Sequence, residues 1–424
     1  MKTKLSLAVA SALLASASAA NAGIMIPAGD WTLDIGGIVN TYYTHTNFSG
    51  DAGTAPLALG NGNDDSISNI TTGLLPNYLS VSGKTRQNDL DVGFTISINP
   101  GSSTTQGGKQ GSHQENRQAF LTFGDKSWGS IKIGKDLGIY ASDAILNDMT
   151  LLGVGSGAGS LAGNTTTLGR IGTGFMYADW KSQVAYSSPN WNGFSFTAGV
   201  TQAWNAVAAV GGGASSSGRG GSSPAFEGKA SYEWAGDVGG KVWMSAISQR
   251  VKGLSNGRPA SFGPNPTNPT TFTTSPAVAN TADTSGRATA WDIGATVNLA
   301  GFGLTGYYGE GSGIGQTLQL FDGFDANGND RDSDQYYVQA TYTLPGVGTK
   351  LGVSWGESTL DGNGVDGFRD IKDNMWTLGA YHPITKHLNL VAEYSESKHE
   401  VDNKAVADTD GKAKTISLGA ILFF

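Results

Sequence analysis

The stretch that decides the fold begins at Glu115: ENRQAFLTFG (115–124), DKSWG (125–129), SIKIG (130–134), then, past an irregular segment, MYADWKSQVAYSSP (176–189) and WNGFSFTAGVTQ (191–202). Apolar and polar residues alternate in each flank, which is the period of a strand with two unlike faces. The pattern predicts strand, tight turn on Asp125 and Gly129, strand, and later two further strands. Between them, Asp136 to Phe175 is a run of about 40 residues rich in Gly, Ser, Leu and Thr. Loops of that length inside a compact architecture are uncommon and usually functional. The expectation is a loop that folds into a barrel made by the rest of the chain and narrows its hole.

Working outward, the same alternation recurs. Trp31, Leu33, Ile35, Val39, Thr41 and Tyr43 share one face, with Thr32, Asp34, Asn40 and Tyr42 on the other. Leu90 to Ile98, Phe194 to Val200, Tyr336 to Leu344 and Leu388 to Tyr394 behave alike, and Ile416, Leu418, Ala420, Leu422 and Phe424 make an alternating last strand. The polar faces are small and hydrophilic, suited to a water-filled lumen. About 16 such segments of roughly 9–13 residues are present, long enough to span an outer membrane at the usual tilt.

Connections alternate too. Lys84–Asn88, Asp125–Gly129, Pro189-Asn190, Ala300–Gly303, Pro345–Gly348 and Thr385-Lys386 read as tight turns. Long polar loops are expected at Asn47–Asn69, Gly101–His113, Asp136–Phe175, Asn205–Pro224, Lys252–Ser285, Gly311–Asp334, Ser358–Ile371 and Lys398–Gly411. Short turns at one end and long loops at the other describe an all-β, transmembrane, antiparallel up-and-down β-barrel with periplasmic turns and extracellular loops. A barrel leaves no open edge to face lipid, so its last strand must pair with its first.

The start of the chain agrees. Lys2 and Lys4 precede the small apolar run Leu5–Ala20, and Ala20-Asn21-Ala22 is an A-x-A site. Residues 1–22 therefore read as a secretory signal peptide, and 23–424 as the barrel domain. No cysteine is present, so no disulfide framework supports the exported chain. With 63 Gly in 424 residues and 38% hydrophobic residues, no apolar run after the leader is long enough for a membrane helix. Of 27 Lys and Arg, Lys2 and Lys4 belong to the leader, leaving 25 against 35 Asp and Glu. That balance argues against a nucleic-acid partner, which would meet a basic footprint.

At NRQAFLTF with WGSIKIGK, GRIGTGFMY (169–177), YSSPNWNGFSF (186–196) and the closing ISLGAILFF, the chain resembles the general porins of Gram-negative outer membranes, over essentially the whole mature length. The resemblance implies a 16-stranded, homotrimeric barrel in the cell outer membrane, in contact with lipid and lipopolysaccharide. Its third long loop would form an eyelet for passive diffusion of ions and small hydrophilic solutes. It further implies a pore constriction of wall cations facing loop acids. By position, Arg117 falls on a wall arginine, Lys135 where the family usually has arginine, Asp148 on a loop acid and Arg170 on the loop-exit arginine, with Asp143 a second loop acid. Arg170 reads equally as lining the pore or pinning the loop. Two departures stand out: Leu151-Leu152-Gly153-Val154-Gly155 replaces an acidic turn, and Asp179 and Lys181 lie where a wall arginine is expected.

Other chemistry is weaker. The run DANGNDRDSD (325–334) has calcium-loop acids but Asp330 where the EF-hand wants Gly, so an acidic solvated loop is the better reading. His45, His113, His382, His387 and His399 show no metal spacing. Trp31, Tyr43, Tyr381 and Tyr394 suit an aromatic girdle. A G-x-S-x-G match at Gly253–Gly257 opens a polar loop rather than joining strand to helix, so no enzyme is expected and no cofactor is implied. The alternative to a general diffusion channel is a substrate-specific one for sugars or organic acids.

Overall fold

A computed structural model describes residues 23–51, 65–103, 114–156, 166–207, 214–215, 223–255, 261–265, 268–275, 284–325 and 327–424. The proposed leader at 1–22 lies outside them, as do most of the first, second and fourth long loops. The chain forms a closed antiparallel barrel of sixteen strands. They are β1 (Trp31–Gly50), β2 in two pieces (Ser66–Thr71 and Tyr78–Gln87), β3 (Leu90–Pro100), β4 (Ala119–Asp125), β5 (Gly129–Leu137), β6 (Trp180–Ser187), β7 (Phe194–Thr201) and β8 (Ala225–Trp234). The second half holds β9 (Val238–Ser255), β10 (Thr284–Leu299), β11 (Phe302–Ser312), β12 (Asp332–Thr343), β13 (Lys350–Asp361), β14 (Phe368–Pro383), β15 (Leu388–Asn403) and β16 (Thr409–Phe423).

Each strand pairs with the next, and β16 returns to β1 from Ile38↔Phe423 to Gly50↔Gly411. Closure gives every wall N–H and C=O a partner, which lipid cannot supply. The period of two then sorts side chains. Ile96, Met244 and Leu304 are 55–58% exposed on the outer face, while Asn40, Tyr42, Gln249 and Glu393 are buried on the inner one. Below the end of β16, Ile24–Ala28 continues the same position along β1, with Ile24 opposite Ile35. Phe424 exchanges both backbone hydrogen bonds with Gly37 there, at 2.8 and 3.0 Å.

Several boundaries differ from expectation. The turn expected at Lys84–Asn88 is Asn88-Asp89, both with positive φ (48° and 64°), because β2 and β3 stay paired up to Gln87↔Leu90. A turn with left-handed residues matches the twist of its flanking strands. Ala235–Asp237 is a further short turn that the sequence reading missed. The loops expected at Ser358–Ile371 and Lys398–Gly411 shrink to residues 362–367 and 404–408. Ladder hydrogen bonds continue above the apolar band, since pairing needs backbone groups and not apolar side chains. Tyr381 also departs from the girdle: it is buried in the lumen, and its hydroxyl donates to Glu393 at 2.6 Å.

The core lies inside the barrel, between the wall and what enters it. Residues 72–77 leave the wall between the two pieces of β2 and carry Leu74 and Leu75 inward. Asn40 of β1 holds this kink: its Nδ2 donates to Leu75 O at 2.9 Å and its Oδ1 accepts from Gly73 N at 2.8 Å. The loop after β5 packs there, its Leu151, Val154, Leu168 and Ile171 joining Tyr42, Tyr337 and Tyr381 of the wall.

Candidate constriction site

The loop between β5 and β6, residues 138–179, is the third long loop and enters the lumen as expected; 157–165 lie outside the described residues. Its only α-helix among them, α1 (Ser142–Asn147), follows Ala141 in the left-handed region (φ 62°). A 3₁₀ turn at Met149–Leu152 follows, capped by Asp148, whose Oδ1 accepts from Thr150 N at 3.1 Å. Helices this short have no stability of their own, so the wall must hold them.

It does so by hydrogen bonds from inward strand residues to the loop backbone. Glu227 of β8 accepts from the N–H groups of Ile139 and Tyr140 at 2.8 and 2.9 Å. Ser245 of β9 accepts from Ala141 N at 3.0 Å. Across β12, Tyr337 OH donates to Ala144 O at 2.9 Å, and Gln339 both donates to Asn147 O at 2.6 Å and accepts from Met149 N at 2.9 Å. Tyr42 OH of β1 donates to Leu152 O at 2.7 Å. Glu393 of β15 accepts from Val154 N and Gly155 N at 2.7 and 2.9 Å. Gly153 is required by this approach, because a Cβ there would lie 2.0 Å from Glu393 Oε1.

Charged contacts complete the attachment. Asp143 accepts from Lys241 Nζ at 2.6 Å and from Lys229 Nζ at 3.1 Å. Burial would raise this carboxyl, yet the two ammonium groups more than reverse that and hold it at about 2. Asp148 and Arg170 face each other at 3.8 Å, both fully buried. Burial pushes the Asp148 carboxyl up, and Arg170 opposes it. Arg170 donates to Met375 O at 2.8 Å, to Thr173 O at 3.2 Å and to Ser354 Oγ, so its guanidinium clamps the loop exit to β13 and β14. Of its two readings, pinning is the one its surroundings match.

Arg117 is buried just before β4, its Nε donating to Glu115 at 2.8 Å and its guanidinium 5.7 Å from the centre of the Trp180 ring. Lys135 sits elsewhere. It shares the outward phase of Ile131 and Ile133, and its Nζ donates to Asn116 O at 2.8 Å. Lys132, on the inward phase beside Asp136 and 4.8 Å from the Phe120 ring centre, is the β5 cation on the lumen side. Lys181 of β6 points inward as well, bonded to Glu227 at 2.5 Å and to Gln319 at 3.0 Å. Thus the structure brings Asp143 against Lys229 and Lys241 and Asp148 against Arg170, and leaves Lys135 outside that set. Glu227, Lys229, Lys241 and Glu393 carried no signal apart from their polar phase on a strand.

A second loop also enters. Residues 313–331, between β11 and β12, bury Ile314, Leu320 and Phe324 against Tyr140 and Met176 of the first loop and Ile247 and Val251 of β9. Leu318 bridges Tyr177 and Phe321 bridges Val207. Arg331, fully buried, closes the loop by donating to Asp366 at 2.6 and 2.8 Å and to Asp322 O at 2.9 Å. The reading of Asp325 as part of a solvated acidic loop is corrected. It is buried, and its carboxylate accepts from Asn327 N, Asn329 N and Asn329 Nδ2 at 2.8–2.9 Å. Its oxygens are occupied by its own turn. Among the described residues no cluster of three or more His, Asp or Glu could hold a metal.

A closed barrel, apolar outside and polar inside, with loops pinned across its lumen, defines a membrane channel. The comparisons place it further. A sequence profile described as Gram-negative porin matches residues 8–402, and the chain belongs to that family. It is an outer-membrane channel for passive diffusion. No curated protein matches it. Among solved structures, the outer membrane channel DcaP of Acinetobacter baumannii is similar over 95% of this chain and 100% of its own, at a TM-score of 0.64 and 16% identity. The anion-selective porin from Comamonas acidovorans aligns with 93% of this chain and 100% of its own (TM-score 0.57, 16% identity). The trimer form of OmpT of Vibrio cholerae covers 93% and 99% (TM-score 0.55, 14% identity). At these identities the likeness concerns the fold.

Proposed function

We propose that this porin is a narrow diffusion channel whose bore is set by two inward loops, the second of them additional to the loop expected from sequence. The observation that carries this reading is the burial of Leu320 and Phe324 of residues 313–331 against Tyr140 and Met176 of residues 138–179. Asp143 with Lys229 and Lys241, and Asp148 with Arg170, are the charged groups of the constriction in this reading, Arg117 flanks it, and Lys135 lies outside it. Because the acids touch their cations directly, most of the transverse field is neutralised within the wall, and size rather than charge dominates selection. Transport follows the solute gradient, without catalysis. The described part of the Gly253–Gly257 match, residues 253–255, ends strand β9, which supports no nucleophile elbow.

Residues 1–22 act as the export signal in this proposal, and 23–424 form the barrel domain. A homotrimer in contact with outer-membrane lipid and lipopolysaccharide is its native state, a reading supported by the trimeric relative. The additional loop also favours a second reading, a channel specific for one sugar or organic acid. Single-channel recording of the purified protein in a planar bilayer under a salt gradient separates the two. Ohmic steps in threes with a reversal potential support the diffusion channel. Small conductance that falls on adding one particular sugar or acid overturns it in favour of the specific one.

A further inference from the structure

Arg250 of β9 and Arg287 of β10 stand directly opposite each other in the ladder. Their neighbours Gln249, Val251 and Ala288 are buried toward the lumen, so alternation sets both arginines on the outer face, where both are exposed. Like charges directly opposite destabilise a strand pair. Neither has an acidic partner among the described residues. Arg287 Nη1 donates to Ser248 Oγ at 2.9 Å, and the outward acid on β11, Glu310, is occupied by Trp291 Nε1 at 3.1 Å and Tyr308 OH at 2.9 Å. β9 rises from the short turn before Val238 toward the long-loop end, which places the pair at the extracellular rim.

Directly below, the outer face is apolar and hollow. A depression of ≈650 Å³ is lined by Val184, Tyr186, Val200, Phe226 and Ser248. Its floor is a cross-strand row of small residues, Ala198↔Gly228 and Gly228↔Ala246. Ser248 belongs to both features, since it lines the depression and holds Arg287. A cationic pair with no acidic partner among the described residues thus sits at headgroup height over a slot of acyl-chain character.

We propose that this face binds a phosphorylated, multiply acylated glycolipid of the outer leaflet, with a phosphate bridging Arg250 and Arg287 and one acyl chain in the depression. Guanidinium groups grip phosphate through paired charge-assisted hydrogen bonds, and a shared phosphate converts the repulsion between them into attraction. The inference gives a location to the lipopolysaccharide contact proposed above and rests on that reading.

The test measures lipid binding to the purified, refolded full-length barrel in detergent by native mass spectrometry. The probes are bisphosphorylated lipid A, the same lipid with its phosphates removed, and phosphatidylglycerol. Wild-type protein is expected to retain bisphosphorylated lipid A at least about ten-fold more tightly than the dephosphorylated form. Arg250→Gln with Arg287→Gln abolishes that difference. Gly228→Leu fills the slot and weakens both forms alike; an added Cβ there meets nothing closer than Thr197 O at 3.6 Å, so the wall accommodates it. Equal binding of the two lipid A forms by wild-type protein overturns the proposal without any variant. Phosphatidylglycerol bound as tightly as lipid A overturns the glycolipid assignment, and loss of oligomer with unchanged lipid binding reassigns the face to contact between copies. Planar-bilayer conductance of each variant is recorded alongside: wild-type protein that conducts but ignores lipid A sinks this site and spares the channel, whereas absence of conductance in all of them counts against the channel.

Discussion

At the scale of single residues, the proposed constriction turns on a carboxylate kept ionised by direct contact with cations. Asp143 is the clearest, held at about 2 because Lys229 and Lys241 overcome its burial. Its folded value lies below the ordinary 3.8, so its contribution to stability is complete above about pH 4 and is lost as pH falls toward 2. Reversal potentials under a salt gradient should accordingly show no change from Asp143 between pH 7 and pH 4. Asp143→Asn leaves Lys229 without its acid and Lys241 with only Glu233, at 3.2 Å, and should move the reversal potential toward anions. Because both lysines keep some solvent, its cost to stability should fall between the ~0.2–1 kcal/mol of an exposed pair and the ~3–5 kcal/mol of a buried one. Arg170→Met is more severe. It strands the buried Asp148 carboxylate and empties the clamp on Ser354 and Met375, so thermal unfolding should register a loss of about 3–5 kcal/mol.

At the scale of elements, the two inward loops are held differently, and the difference can be measured. Residues 138–179 hang by their backbone from wall side chains, with Gly153 pressed against Glu393. Gly153→Val should push that segment off β15, and single-channel traces should show a larger and noisier conductance. Residues 313–331 are held by apolar burial and by Arg331. Deleting Gly315–Gly323 should raise conductance above that of the parent channel; unchanged conductance would mean that this loop does not limit flow. Strands were readable from the sequence because the period of two is local, and Ile96, Met244 and Leu304 declare the lipid face residue by residue. The third loop was readable by its length alone. The second inward loop was missed because its apolar residues, Leu318, Leu320, Phe321 and Phe324, sit among Gln, Asp and Gly within an otherwise polar stretch. An apolar cluster in a loop that should face water was its signal. Lys229 and Lys241 could not be separated from any other inward polar residue until register showed which of them meets the loop. Lys135 was misjudged at a strand end, where one position decides between lumen and outside.

At the scale of the whole molecule, an outer belt of exposed aliphatic side chains and a continuous hydrogen-bonded wall require a membrane or detergent around them. Unboiled protein on a denaturing gel should migrate differently from the boiled chain, whose 43.8 kDa includes the proposed leader, because the closed ladder resists detergent at room temperature. A band near three times that mass would support the homotrimer. The wall also closes between β16 and β1, and residues 138–179 touch both sides of that seam: Leu152 accepts from Tyr42 of β1, and Val154 donates to Glu393 of β15. Those contacts join residues 110 and 239 positions apart. Long-range pairing of this kind makes folding slow. The loop thus works as an internal splint, bonded to β1 on one side of the closure and to β15 on the other, so loosening it should loosen the seam as well.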